Sequence, residues 1–76
     1  MELNKQLFYP GTGSELITIE EWLIRYARKM YNKRHEKNPE FTKEDGLVMA
    51  LDELDDGWGI FVDPTRDEYN YMISLI

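Results

Sequence analysis

Thr18-Ile19-Glu20-Glu21-Trp22-Leu23-Ile24-Arg25-Tyr26-Ala27-Arg28-Lys29-Met30-Tyr31 is the stretch whose reading decides the fold. Its first four residues match a capping box, in which a hydroxyl at the N-cap and a Glu three residues on exchange bonds with free backbone N–H groups. Ile19, Trp22, Leu23, Tyr26, Ala27, Met30 and Tyr31 then recur at helical spacing. Ile24 and Tyr31 widen the apolar arc to roughly half the circumference. Arg25, Arg28, Lys29 and Lys33 take the opposite side. The spacing predicts a helix over about 19–36, ending before Asn38 because Pro39 disfavours helical geometry in the residue ahead of it.

Working outward, Thr42-Lys43-Glu44-Asp45 is a second capping signature, and Leu47, Ala50, Leu51 and Leu54 form an inward stripe behind it. Gly57 suits the left-handed position just past a helix end, which predicts a second helix over about 43–56. Val48 and Met49 fall outside the stripe, so this helix is covered on two sides or leaves an apolar strip open. Only about five residues join the two helices, which makes them an antiparallel pair. Trp58-Gly59-Ile60-Phe61-Val62 reads as a short extended segment. In the tail, Asp63 as N-cap and Pro64 at the first helical position start a third helix, and Tyr69, Met72, Ile73 and Ile76 keep helical spacing. The alternative is an α+β fold in which 58–62 pairs with 68–75 as a C-terminal β-hairpin. Upstream, residues 1–17 read as an irregular arm: a short strand over 5–9 and a turn at Pro10-Gly11-Thr12-Gly13-Ser14. The expected fold is therefore a mainly α, three-helix-type single domain of 76 residues.

Composition narrows the functional classes. The chain has no cysteine, which leaves no disulfide or thiolate metal site and fits a reducing, cytoplasmic setting. No apolar run approaches the ~20 residues needed to span a bilayer. The net charge of −6 is unevenly spread: residues 1–24 carry −3, residues 25–37 carry +5 and residues 38–76 carry −8. An acidic total argues against direct binding of duplex DNA, which usually needs a net basic face.

Catalytic constellations are lacking. His35 is the single histidine, so His35-Glu36 cannot begin a zinc-protease motif, and its place in the last turn of the first helix reads as a solvated residue favoured by the helix dipole. Ser14 and Ser74 sit in no nucleophile-elbow sequence. Gly11-Thr12-Gly13-Ser14 lacks the Lys of a phosphate-binding loop. Aligning Gly57 with the invariant glycine of an EF-hand puts Leu54 on a ligand position and Asp63 where a bidentate Glu belongs, so that motif fails. No enzyme activity, cofactor or metal is expected.

The two charge clusters differ in what folding explains. Lys33, Arg34, His35 and Lys37 near a helix C-terminus, with Glu20 and Glu21 near its N-terminus, are what the macrodipole favours. Leu51-Asp52-Glu53-Leu54-Asp55-Asp56-Gly57 does the reverse, with four carboxylates at a C-terminus that already carries roughly half a negative charge. Antiparallel packing brings Asp52, Glu53, Asp55 and Asp56 to the same pole as Glu20 and Glu21, with Trp58 and Phe61 alongside as aromatic anchors. The expected function is a non-enzymatic interaction module presenting this pole to a basic protein surface. By analogy of size and charge, small acidic inhibitors encoded by phages and mobile elements work this way, placing carboxylates where phosphates would go. One alternative is a nucleic-acid-associated regulator using Arg25, Arg28, Lys29 and Lys33, helped by Tyr9, Tyr26 and Tyr31. Another is a homodimer or larger homo-oligomer that buries Val48, Met49 and the apolar C-terminus.

Overall fold

The chain enters its first helix directly from a strand. A computed structural model describes residues 16–76 and, as backbone, Leu7–Phe8. Strand β1 (Leu7–Phe8) pairs antiparallel with β2 (Ile17–Thr18), with Leu7 opposite Thr18 and Phe8 opposite Ile17. The irregular arm is thereby corrected at its end: Ile17 belongs to a ladder and is buried in the core. Strand β1 falls within the short strand expected over 5–9, while Tyr9 and the turn at 10–14 lie outside the described residues.

Helix α1 spans Ile19–His35. Thr18 is its N-cap, and the Thr18 hydroxyl accepts from the Glu21 N–H at 3.0 Å. Only that half of the expected box is made through Glu21, because the Glu21 carboxylate turns forward to Arg25 Nη2 at 2.7 Å. The helix closes when the Lys37 and Asn38 N–H groups both donate to the Arg34 carbonyl, at 3.2 and 2.9 Å. Helix α2 spans Lys43–Trp58 and opens with the full box: Thr42 N–H to Asp45 Oδ2 at 2.9 Å, and Asp45 N–H to Thr42 Oγ1 at 3.1 Å.

The end of α2 differs from the sequence expectation. The helix runs through Gly57 and Trp58, and Gly59 takes the left-handed conformation at φ 69°. Two glycines two residues apart compete for one role. Placing it at Gly59 lets its N–H reach the Asp55 carbonyl at 3.0 Å, the bond that closes an αL motif, while the Ile60 N–H reaches the Leu54 carbonyl at 3.0 Å. Trp58 is therefore helical, and the extended segment begins after it. Ile60 and Val62 turn inward and Phe61 outward.

The tail is helix α3, Arg66–Leu75, which overturns the hairpin alternative. It starts two residues later than Asp63-Pro64 suggests, because Thr65 and Glu68 form a complete capping box: Thr65 N–H to Glu68 Oε1 at 2.8 Å and Glu68 N–H to Thr65 Oγ1 at 3.1 Å. A box that satisfies two free donors outcompetes a lone Asp cap.

The helix pair is antiparallel. Lys43 Nζ sits 5.8 Å from the centroid of the Tyr31 ring, and three residues further along α2 Gly46 faces the Ala27 carbonyl so closely that an added Cβ would lie 2.7 Å from its oxygen. Advancing along one helix thus means retreating along the other. The core gathers Leu23, Ala27, Leu47, Ala50, Leu54 and Met72, all fully buried, with Ile17, Ile19, Trp22, Ile24 and Val62 around them. Trp22 stacks on Tyr26 with ring centroids 5.1 Å apart. Among the described residues, no helix is long and apolar enough to cross a membrane.

Candidate functional site

The last two turns of α2 carry Asp52, Glu53, Asp55 and Asp56, all exposed, and no basic residue lies in the helix's last turn. Leu51 and Leu54 face the core from the same segment. The amphipathic pattern that buries the leucines is thus what turns the carboxylates outward. Because the two helices run antiparallel, the last turns of α2 and the first turn of α1, with Glu20 and Glu21, lie at the same end of the pair. The structure therefore gathers the predicted acids at one end of the pair, with one change. Glu21 is ion-paired with Arg25 at 2.7 Å, so its charge is locally balanced, whereas Glu20 is half-buried.

Trp58 and Phe61 follow the acids directly. Trp58 occupies the last helical position at 39% exposure, and Phe61 is 71% exposed, the most exposed large apolar side chain among the described residues. Phe61 owes this to its place between two inward residues, Ile60 and Val62. An aromatic ring turned out at the edge of a carboxylate cluster can bury apolar area on contact while the acids select a basic surface.

The acidic segment also acts on α3. The Tyr69 hydroxyl is held above its ordinary pKa of 10.0, first by burial, then by Glu44 and more weakly by Asp52, while Arg66 pulls the other way. Arg66 reaches Glu44 Oε1 at 3.6 Å and lies 5.5 Å from the Tyr69 ring centroid.

The basic face proposed for nucleic acid is partly committed to the fold. Arg25 is bound to Glu21, and Arg28 Nη2 donates to the Leu75 carbonyl at 2.6 Å, satisfying a carbonyl at the C-terminus of α3. Lys29 and Lys33 are exposed. His35 is not the simply solvated residue that its sequence position suggests. Its Nδ1 lies 3.0 Å from the Phe41 carbonyl and its ring stacks on Tyr31 at 4.7 Å. Facing a carbonyl, Nδ1 carries the proton and donates. The signal for this role is tertiary, since the chain must turn at Asn38-Pro39 before Phe41 can reach the ring.

Among the described residues, no three His, Cys, Asp or Glu side chains converge to hold a metal ion. No family model matches the chain, and no curated protein or solved structure matches it either.

Proposed function

We propose that the chain is a non-enzymatic binding module whose acidic end docks on a basic protein surface. The observation that supports this most is the run of four exposed carboxylates closing α2, continued by an outward Phe61. Repulsion from the helix's own carbonyl end makes Asp55 and Asp56, in the last turn of α2, unfavourable for folding by about a few tenths of a kcal/mol each after solvent screening. A role outside folding accounts for their presence at this end of the helix. Long-range attraction raises the association rate, and Trp58 and Phe61 supply the desolvated contact that slows release. A partner whose basic surface ordinarily holds nucleic acid suits this arrangement, with carboxylates standing where phosphates would lie. Engagement of Arg25 and Arg28 within the fold weighs against the nucleic-acid-regulator reading. Exposure of Val48, Tyr71 and Leu75 supports self-association as the second reading.

The test is affinity capture with the intact chain and with a triple variant, Asp52→Asn, Asp55→Asn and Asp56→Asn. Basic proteins that elute with salt from the wild type and are lost from the variant, whose thermal stability is equal or higher, support the proposal. Capture of the same proteins by the folded triple variant refutes it.

A further inference from the structure

At the opposite end of the molecule, the corner between α1 and α2 forms an open concavity of about 470 Å³, lined by Lys33, Arg34, Glu36, Lys37, Asn38 and Phe41. The helix dipole explains why cations sit at the end of α1. It does not explain why three of them line a hollow with an aromatic wall, in a chain whose net charge is −6. Its volume lies within the range of small-molecule sites, about 300–1,000 Å³.

The turn that carries Asn38 and Phe41 is held in place before any ligand arrives. Two N–H groups, from Lys37 and Asn38, occupy the Arg34 carbonyl at the end of α1. The Asn38 side-chain oxygen accepts from the Glu40 N–H at 3.2 Å, which fixes the amide's orientation. Phe41 is pinned on both sides of its backbone: its N–H donates to the Asn38 carbonyl at 2.9 Å, and its carbonyl receives His35 Nδ1. The lining carries three positive charges against Glu36, a net of +2, and Arg34 offers a planar fork that matches phosphate oxygens two at a time.

We propose that this corner binds a phosphate monoester with a planar ring body, the chemistry of a nucleoside monophosphate. The phosphate sits among Lys33, Arg34 and Lys37, and the ring lies on Phe41. This site is independent of the acidic end and of any protein partner docked there, so either can fail alone.

The experiment is an amide-resolved NMR titration of the intact chain in low-salt, phosphate-free buffer. Adenosine monophosphate, adenosine and inorganic phosphate are added to separate samples. The expected result is saturable shifts confined to residues 33–41 with the nucleotide, with weaker binding of either fragment. The exposed pair K33E/K37E should weaken nucleotide binding by about tenfold or more, a loss of ~1.4 kcal/mol or more. Dispersion of the remaining amides checks that this variant is folded, and K33Q/K37Q replaces it if it is not. Non-saturating shifts, shifts spread equally over Arg25 and Lys29, or unchanged affinity in the folded variants overturn the site. Equal affinity for nucleotide and inorganic phosphate overturns the ring contact and with it the proposed ligand.

Discussion

Gly46 and Gly57 both lie inside α2, yet replacing each by Ala should move stability in opposite directions. In an open helix interior the exchange is favourable by up to about 1 kcal/mol, because Ala loses less backbone entropy on folding. At Gly46 an added Cβ would lie 2.7 Å from the Ala27 carbonyl oxygen, about 0.7 Å inside the 3.4 Å at which ordinary contact begins. The obstructing atom is backbone, so relief requires α1 and α2 to separate along a seam where Leu23, Ala27, Leu47, Ala50 and Leu54 are fully buried. Overpacking of this kind costs about 1–3 kcal/mol. Subtracting the propensity gain leaves a net destabilisation of about 1 kcal/mol, or a Tm lower by about 4–8 °C for a domain this size. At Gly57 the near atom is the Glu53 Oε1 at 2.6 Å, the far end of a flexible, exposed side chain that can swing away. The propensity gain then survives, and Gly57→Ala should stabilise by about 0.5–1 kcal/mol. Urea unfolding of both variants, with m compared against wild type, measures the difference. A Gly46→Ala protein as stable as the Gly57→Ala protein would refute the close approach of the two helices.

Thr65→Ala should destabilise by about 1 kcal/mol through loss of the α3 cap, whereas Asp63→Ala should change stability by no more than a few tenths; equal effects in thermal melts would return the helix start to Asp63. Arg28→Ala should release the Leu75 carbonyl and cost about 0.5–1.5 kcal/mol, read as faster amide exchange at the end of α3; unchanged exchange there would mean the bond holds nothing. Tyr69 holds its proton more tightly in the fold than in the unfolded chain, so its stabilising contribution is full below pH 10.0 and is lost as pH rises from there through the raised folded value. Tyr69→Phe should flatten that alkaline loss in denaturation curves taken between pH 9 and 11, or about that, and an unchanged slope would contradict the shift.

Strong, unrivalled local signals are legible in the sequence. Thr18 and the apolar stripe from Ile19 to Tyr31 announce α1, and Thr42 with Asp45 announces α2, because capping and helical periodicity act within a few residues. Where two local signals are near-equivalent, the sequence does not decide between them. Gly57 and Gly59 both qualify as the left-handed residue, and the deciding bonds to Asp55 and Leu54 exist only once the helix has run on. At the start of α3, Asp63-Pro64 masks the reciprocal box of Thr65 and Glu68. The pairing of Leu7 with Thr18 is invisible in two-residue strands, and the tie from Arg28 to Leu75 joins residues 47 apart. The acidic residues of the candidate site were legible because exposure follows from the pattern that buries Leu51 and Leu54. The ion pair that balances Glu21 was legible as well, since Glu21 precedes Arg25 by one helical turn. The concavity beside Phe41 was not, because it depends on how the chain turns between α1 and α2.

Thr18 holds two positions at once. Its backbone is extended, at φ −75° and ψ 154°, in register with Leu7, and its hydroxyl caps α1. With no connecting residue between ladder and helix, there is no joint about which one can swing relative to the other. Peeling β1 from β2 therefore loosens the residue that seeds the first turn of α1, and unwinding that turn removes the edge on which β1 rests. The two should open as a single cooperative unit, giving Ile17 and the first turn of α1 a shared exchange rate despite their different secondary structures.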